Sequence, residues 1–125
     1  MIPQPPTQDL KSLFNFKKVL FPTFNGWEYI KIIDIKYFKA ECNHTFLFLN
    51  NRKDLLLSCS LQKVEELLTD YFFRCHKSYI VNIINVKSVH ANCSSYYIIM
   101  EGETKIPLAK RRKTEFIHEL SQFNL

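Results

Sequence analysis

Residues 73–82 read FRCHKSYIVN and concentrate the side chains best suited to recognition or catalysis. Arg74, Cys75 and His76 stand in a row, Lys77 follows, and the apolar run Tyr79-Ile80-Val81 comes next. Aromatic and β-branched residues favour strands. A buried strand entered through a cluster of donors holds polar side chains rigidly at a surface, facing something anionic or polar. A second concentration is Lys105, Lys110, Arg111, Arg112 and Lys113, with no acid anywhere in residues 105–114. Several of these cations fall where the last helix should begin. Cations there oppose the positive end of the helix dipole. A tolerated cost of that kind points to an anionic partner, and DNA phosphate is the commonest. A solvated basic helix end is the plainer alternative.

Other chemistries fit less well. Cys75 lies between Arg74 and His76, a setting that would lower its pKa and make it a candidate redox thiol controlling DNA binding; a buried, inert cysteine is the favoured reading. Zinc would need Cys42-x-His44 and Cys75-His76 to converge, a spacing that matches no known finger. No CxxC pair exists among Cys42, Cys59, Cys75 and Cys93, and no metal or cofactor is expected. Glu65-Glu66 read as the solvated side of a helix rather than an acid–base pair. Two glycines, Gly26 and Gly102, exclude glycine-rich phosphate loops. Nothing specifies a nucleophilic dyad with an oxyanion hole, so an enzyme is not expected. Phe46, Phe48, Tyr96 and Tyr97 alternate within strands and read as core before they read as a platform for single-stranded nucleic acid.

A chain of 125 residues suits one domain. Its net charge of +5 favours nucleic acid or an acidic surface as partner. No apolar run approaches membrane-spanning length and no signal peptide is visible. Free thiols in the cytoplasm are therefore expected. Residues 1–16 carry Pro3, Pro5 and Pro6, then Leu10, Leu13 and Phe14 at helical spacing. They read as a linker or the remnant of an upstream region, and residues 17–125 as the domain.

The pattern from Lys18 onward is that of strands. Val19-Leu20-Phe21 and residues 27–33 flank the turn signal Asn25-Gly26. Residues 35–40 give another strand. Residues 46–49 and 55–57 flank the polar Asn50-Asn51-Arg52-Lys53-Asp54. Ser60 is a plausible N-cap for a helix carrying Leu61, Val64, Leu67 and Leu68. Residues 79–89 supply one or two strands, and residues 96–100 and 105–108 flank Glu101-Gly102-Glu103. Residues 112–123 place Phe116, Ile117, Leu120 and Phe123 on one helical face. Many short strands with one internal and one terminal helix predict a mainly β domain.

The central segment closely resembles the signature of the LytTR family of bacterial DNA-binding domains. Phe72, Arg74, His76, Lys77, Ser78, Tyr79, Ile80, Val81 and Asn82 all fit it. Asp34-Ile35-Lys36-Tyr37-Phe38, Asn43-His44-Thr45, the helix over residues 60–68 and Ile106-Pro107-Leu108-Ala109-Lys110-Arg111-Arg112 fit in the same order. The match covers residues 17–120. It implies a compact stack of small sheets, about ten short strands, with one internal and one C-terminal short helix. It also implies duplex DNA as partner, read by inserted loops rather than a recognition helix.

Carried onto this chain, the family's contacts fall on Asn43 and His44, on Lys77 with Arg74 and His76 nearby, and on Lys110, Arg111 and Arg112. The resemblance implies repeated half-sites, two copies along one face of a bent duplex, and an upstream sensory or receiver region outside this chain. No small-molecule substrate is implied. Two departures stand out. Ala109 occupies a position where the family often has Ser, and Lys77 one where Arg is common; Lys cannot make the bidentate fork. Alternation within the strand sets Arg74 and His76 on one side and Cys75 and Lys77 on the other, and His76 reads as a structural, hydrogen-bonded residue. Two competing readings are a protein-interaction module that keeps the fold without binding DNA, and a general RNA or single-strand binder.

Overall fold

The structure, a computed structural model, describes residues 17–68 and 70–123. The linker expected over residues 1–16 lies outside them. Ten strands form two sheets. The first seven are β1 (Lys18–Thr23), β2 (Gly26–Lys31), β3 (Ile35–Glu41), β4 (His44–Leu49), β5 (Leu55–Leu57), β6 (Phe72–His76) and β7 (Tyr79–Asn82). They make one sheet in the order β2-β1-β5-β4-β3-β7-β6. Strands β8 (Val86–Ala91), β9 (Tyr96–Met100) and β10 (Lys105–Leu108) make the second, ordered β10-β9-β8. Every pairing is antiparallel.

Helix α1 (Leu61–Leu67) starts where expected: the Ser60 hydroxyl accepts from the Lys63 amide at 3.2 Å. Helix α2 (Lys113–Ser121) follows a 3-10 turn, Lys110–Arg112. Its apolar face is narrower than the sequence suggests. Phe116 is fully buried and Leu120 partly so, whereas Ile117 is 43% exposed. Only the stripe through Phe116 and Leu120 meets the second sheet and β6, and one residue on turns the side chain by about 100°.

The large sheet is covered on both faces, which explains its continuous apolar runs. From β3 and β7, Phe38 and Ile80 enter a core under α1, with Phe21, Ile30, Leu47, Leu57, Leu61 and Val64. Their neighbours Tyr37 and Val81 enter a second core, with Phe73, Cys75, Ile98, Met100, Ile106 and Phe116. Alternate side chains of one strand thus feed two cores. Phe48 stacks on Tyr37 at 4.4 Å, so it is packing rather than platform.

The strand expected over residues 27–33 ends at Lys31. Ile32–Asp34 is a 3-10 turn, and a second, Ile83–Asn85, divides the run of residues 79–89 into β7 and β8. One side chain ties the two turns together. Asn82 is fully buried, and its amide donates to the carbonyls of Ile32 (3.0 Å) and Ile35 (2.9 Å). Its oxygen accepts from the Ile84 amide at 3.3 Å. Asn85 adds a bond to the Ile35 carbonyl at 2.7 Å. Asn82→Ala would strand the Ile84 amide, at about 1–3 kcal/mol for a buried group, while the Ile32 carbonyl keeps its bond from the Ile35 amide. Urea unfolding should therefore show a loss of about 2 kcal/mol. Asn85→Ala should cost about 1 kcal/mol, since Asn82 still serves the Ile35 carbonyl.

Candidate nucleic-acid interface

Three turns carry the polar residues singled out from the sequence, and the strand register brings them to one end of the fold. The β3–β4 turn holds Cys42 and Asn43 and is closed by the pair Glu41–His44. The β6–β7 turn holds Lys77 and Ser78, closed by His76 and Tyr79. Because β3 runs antiparallel to β7, the first turn lies beside the second, and the Ala40 amide donates to the Ser78 carbonyl at 2.8 Å. The third turn, Lys110–Arg112, leaves β10 next to β6. There the Ala109 amide donates to the Cys75 carbonyl at 2.9 Å. Backbone bonds thus lock all three turns to neighbouring strands.

The side chains divide into those that face out and those that hold the turns. Asn43, Lys77, Lys110 and Arg111 are exposed. Among the described residues, ion pairs engage Arg52, Lys63, Arg74 and Lys87, and none engages Lys77, Lys110 or Arg111. Lys113 lies over the Tyr96 ring at 5.3 Å, Lys105 over Tyr97 at 4.2 Å and Lys39 over Tyr79 at 5.9 Å. These cations keep their charge beside aromatic faces instead of carboxylates, leaving this end strongly positive.

Arg74 and Arg112 are turned inward. The Arg74 guanidinium donates to Glu65 of α1 at 3.2 Å and to the Lys77 carbonyl at 2.6 Å. Arg112 donates to the Arg74 carbonyl at 3.0 Å. Glu65, read from the sequence as part of a solvated helix face, is therefore also the counter-ion of the β6–β7 turn. His76 is likewise committed: its Nδ1 accepts from the Ser78 amide at 3.1 Å, and its ring meets Tyr79 edge-on. Burial, aided by Lys77, pushes the His76 pKa down, which keeps the accepting nitrogen unprotonated.

The alternation expected for this stretch holds for Arg74, Cys75 and His76. Lys77 departs from it, because it sits in the turn rather than the strand. Cys75 is fully buried in the second core, and burial pushes its thiol up to about 12. Arg74 and His76 do not activate it: the Arg74 guanidinium bonds Glu65 and the Lys77 carbonyl, and the His76 imidazole accepts from the Ser78 amide. Sγ instead lies 3.6 Å from the Pro107 carbonyl and 3.8 Å from that of Tyr79. A thiol so placed is almost entirely protonated near neutrality. Among the described residues no group of three or more His, Cys, Asp or Glu side chains can hold a metal ion, and no helix is long and apolar enough to cross a membrane.

His44 is half-buried at the start of β4. Its Nδ1 is closed off and has no hydrogen-bond partner. The Phe24 ring of the β1–β2 turn stands edge-on to it at 4.9 Å and 81°. Nothing in the sequence signals this contact, since Phe24 belongs to a different hairpin and has the pattern of a turn residue.

The result is a basic, mainly β domain that presents three polar turns at one end. The chain belongs to the LytTr DNA-binding domain family, whose model matches residues 25–121. Among solved structures it resembles the LytTr DNA-binding domain of a methyl-accepting/DNA response regulator from Bacillus cereus. The two are 27% identical, with a TM-score of 0.69, and the likeness covers 82% of this chain and 95% of that one.

Two outcomes follow for these side chains. Thiol alkylation at pH 8 should modify the exposed Cys42 and Cys93 rapidly and spare Cys75 until the chain unfolds. Arg74→Met should lower stability by about 1–2 kcal/mol, through loss of the charged bond to the Lys77 carbonyl. It should weaken duplex binding without changing the dependence of log K on log salt. A residue that neutralises a phosphate would lower that slope by about 0.9 when removed.

Proposed function

We propose that this domain is a sequence-specific, duplex-DNA-binding part of a cytoplasmic transcription regulator, reading repeated half-sites through His44, Lys77 and Arg111. The observation that carries this reading is the side-by-side setting of the three turns, locked by the Ala40–Ser78 and Ala109–Cys75 backbone bonds. Three rigidly spaced loops present donors together, as base edges in one groove require.

Arg111 suits the bidentate pairing with guanine O6 and N7, and Lys77 offers a single point donor to the same edge. Asn43 and Lys110 flank the readers and serve the phosphates, which fixes register without carrying sequence information. Arg74 and Arg112 hold the turns in place. In this reading two copies lie along one face of the duplex and bend it, so flexible steps between half-sites favour binding. Control then comes from an upstream sensory or receiver region, or from a partner protein.

Selection from a randomised duplex pool at moderate and high salt tests this directly. The wild-type chain should enrich a repeated half-site. The variant carrying His44→Ala, Lys77→Ala and Arg111→Ala should enrich none, each base-reading pair being worth about 1–3 kcal/mol of discrimination. Weak, strongly salt-sensitive binding without an enriched motif would overturn base readout and leave a protein-interaction module on the same fold. Preference for single strands over duplex in competition would point to a general nucleic-acid binder.

A further inference from the structure

The β1–β2 hairpin lies outside all three turns, yet its tip reaches one of them. The hairpin joins the rest of its sheet through a single ladder pair, Thr23 with Leu57, and a bond from the Ser58 amide to the Pro22 carbonyl at 3.1 Å. Leu57 also pairs with Thr45, so Thr23, Leu57 and Thr45 form one rung across three strands. Thr45 is fully buried, and its hydroxyl donates to the Cys59 carbonyl at 3.0 Å, which holds the rung firmly. Phe24 is the residue just beyond that rung on one side, and His44 the residue just before it on the other. The two rings meet there.

Phe24 is 58% exposed. Exposure of a large ring is not a stability device, and most of this one faces water. What the ring does contact is the imidazole of the one residue of the β3–β4 turn expected to touch a base. With Nδ1 closed off, any hydrogen bond from His44 to a ligand must go through Nε2. A ring standing edge-on to the imidazole limits the rotamers that aim this nitrogen.

We infer that Phe24 is a positioning residue for DNA recognition: its ring, carried by the β1–β2 turn, orients His44 so that Nε2 faces the duplex. This rests on the reading of His44 as a base-contacting residue. Orientation of this kind lowers the entropy lost on binding. It affects the sequence-specific part of affinity, not the phosphate contacts.

A double-mutant cycle tests it with Phe24→Ala, His44→Ala and the double variant, on the selected half-site duplex and a scrambled duplex at one salt concentration. Phe24→Ala should weaken specific binding by about threefold to tenfold, the range of an aromatic pair. It should leave scrambled binding unchanged and cost nothing further once His44 is alanine. Phe24→Tyr, which keeps the ring, should restore affinity. Equal losses from Phe24→Ala with and without His44 would overturn the inference, because Phe24 would then act on its own. No loss in either background would overturn it as well.

A measurement without DNA separates this inference from the reading beneath it. The ring signals of His44 in the free protein, followed by nitrogen-15 NMR, should shift in Phe24→Ala and return in Phe24→Tyr. If they stay unmoved, Phe24 does not orient His44, whatever the duplex shows. If they move while His44→Ala binds the half-site normally, the positioning holds and the assignment of His44 as a base reader is what fails.

Discussion

The fold depends on a buried amide with nowhere else to go. Asn82 ends β7 inside the protein, and its two amide hydrogens and its oxygen are taken by three backbone groups from two separate turns. Each turn closes on its own backbone bond, Ile35 amide to Ile32 carbonyl and Val86 amide to Ile83 carbonyl, and Asn82 ties the two together. The Ile84 amide would otherwise be buried and unpaired, a state that costs more than the bond itself returns. The bonds also fix where β3 begins relative to where β7 ends. Register in an antiparallel pair propagates along its length. The level at which Ala40 meets Ser78, at the far end of the same pair, is therefore set from Asn82, and the relative height of two candidate DNA-facing turns follows from one side chain remote from both.

A second constraint acts across the sheet. Strands β3 and β7 send alternate residues into two cores, so neither strand can slip by one residue without exchanging Phe38 for Tyr37 and Ile80 for Val81. Two-sided burial makes the middle of the sheet rigid in the direction that matters for recognition. The cations then do not have to be held by carboxylates. Backbone bonds and aromatic rings position them, and their charge stays available to an anionic partner.

Much of this could be read from the residues alone. The strands, the Ser60 cap and the approximate hairpin limits follow from alternation, helical spacing and turn residues, which are local signals. The signature at residues 72–82 reads as one strand in sequence, and the structure breaks it at Lys77 and Ser78 into the hairpin of β6 and β7. What escaped was set by distant contacts. The 3-10 turn at Ile32–Asp34 looks like strand in sequence, and the side chain that braces it, Asn82, lies fifty residues away. Ile117 has the spacing of a buried residue but lies off the stripe that meets β6. Arg74 and Arg112 stand beside Lys77 and Arg111 in sequence, and only the geometry shows that the first two also bond Glu65 and the backbone carbonyls of Lys77 and Arg74. The effect of Cys75's neighbours depended on which way their heads point, a matter that adjacency does not decide.

The β1–β2 hairpin shares one ladder pair with β5, where β3 and β4 share six. It also carries the only tryptophan of the chain, Trp27, 72% exposed on its outer face. Elements with few shared ladder bonds can open at a lower free energy than the global transition, although Phe21 and Ile30 anchor this hairpin in the core under α1. The intrinsic fluorescence of this protein therefore reports on the hairpin rather than on the sheet as a whole. An unfolding curve recorded at the tryptophan band follows the detachment of a ribbon, while circular dichroism of the same sample follows the collapse of the two cores. The two signals need not share a midpoint, and a difference between them would be a property of where the indole sits, without requiring a folding intermediate of the domain as a whole.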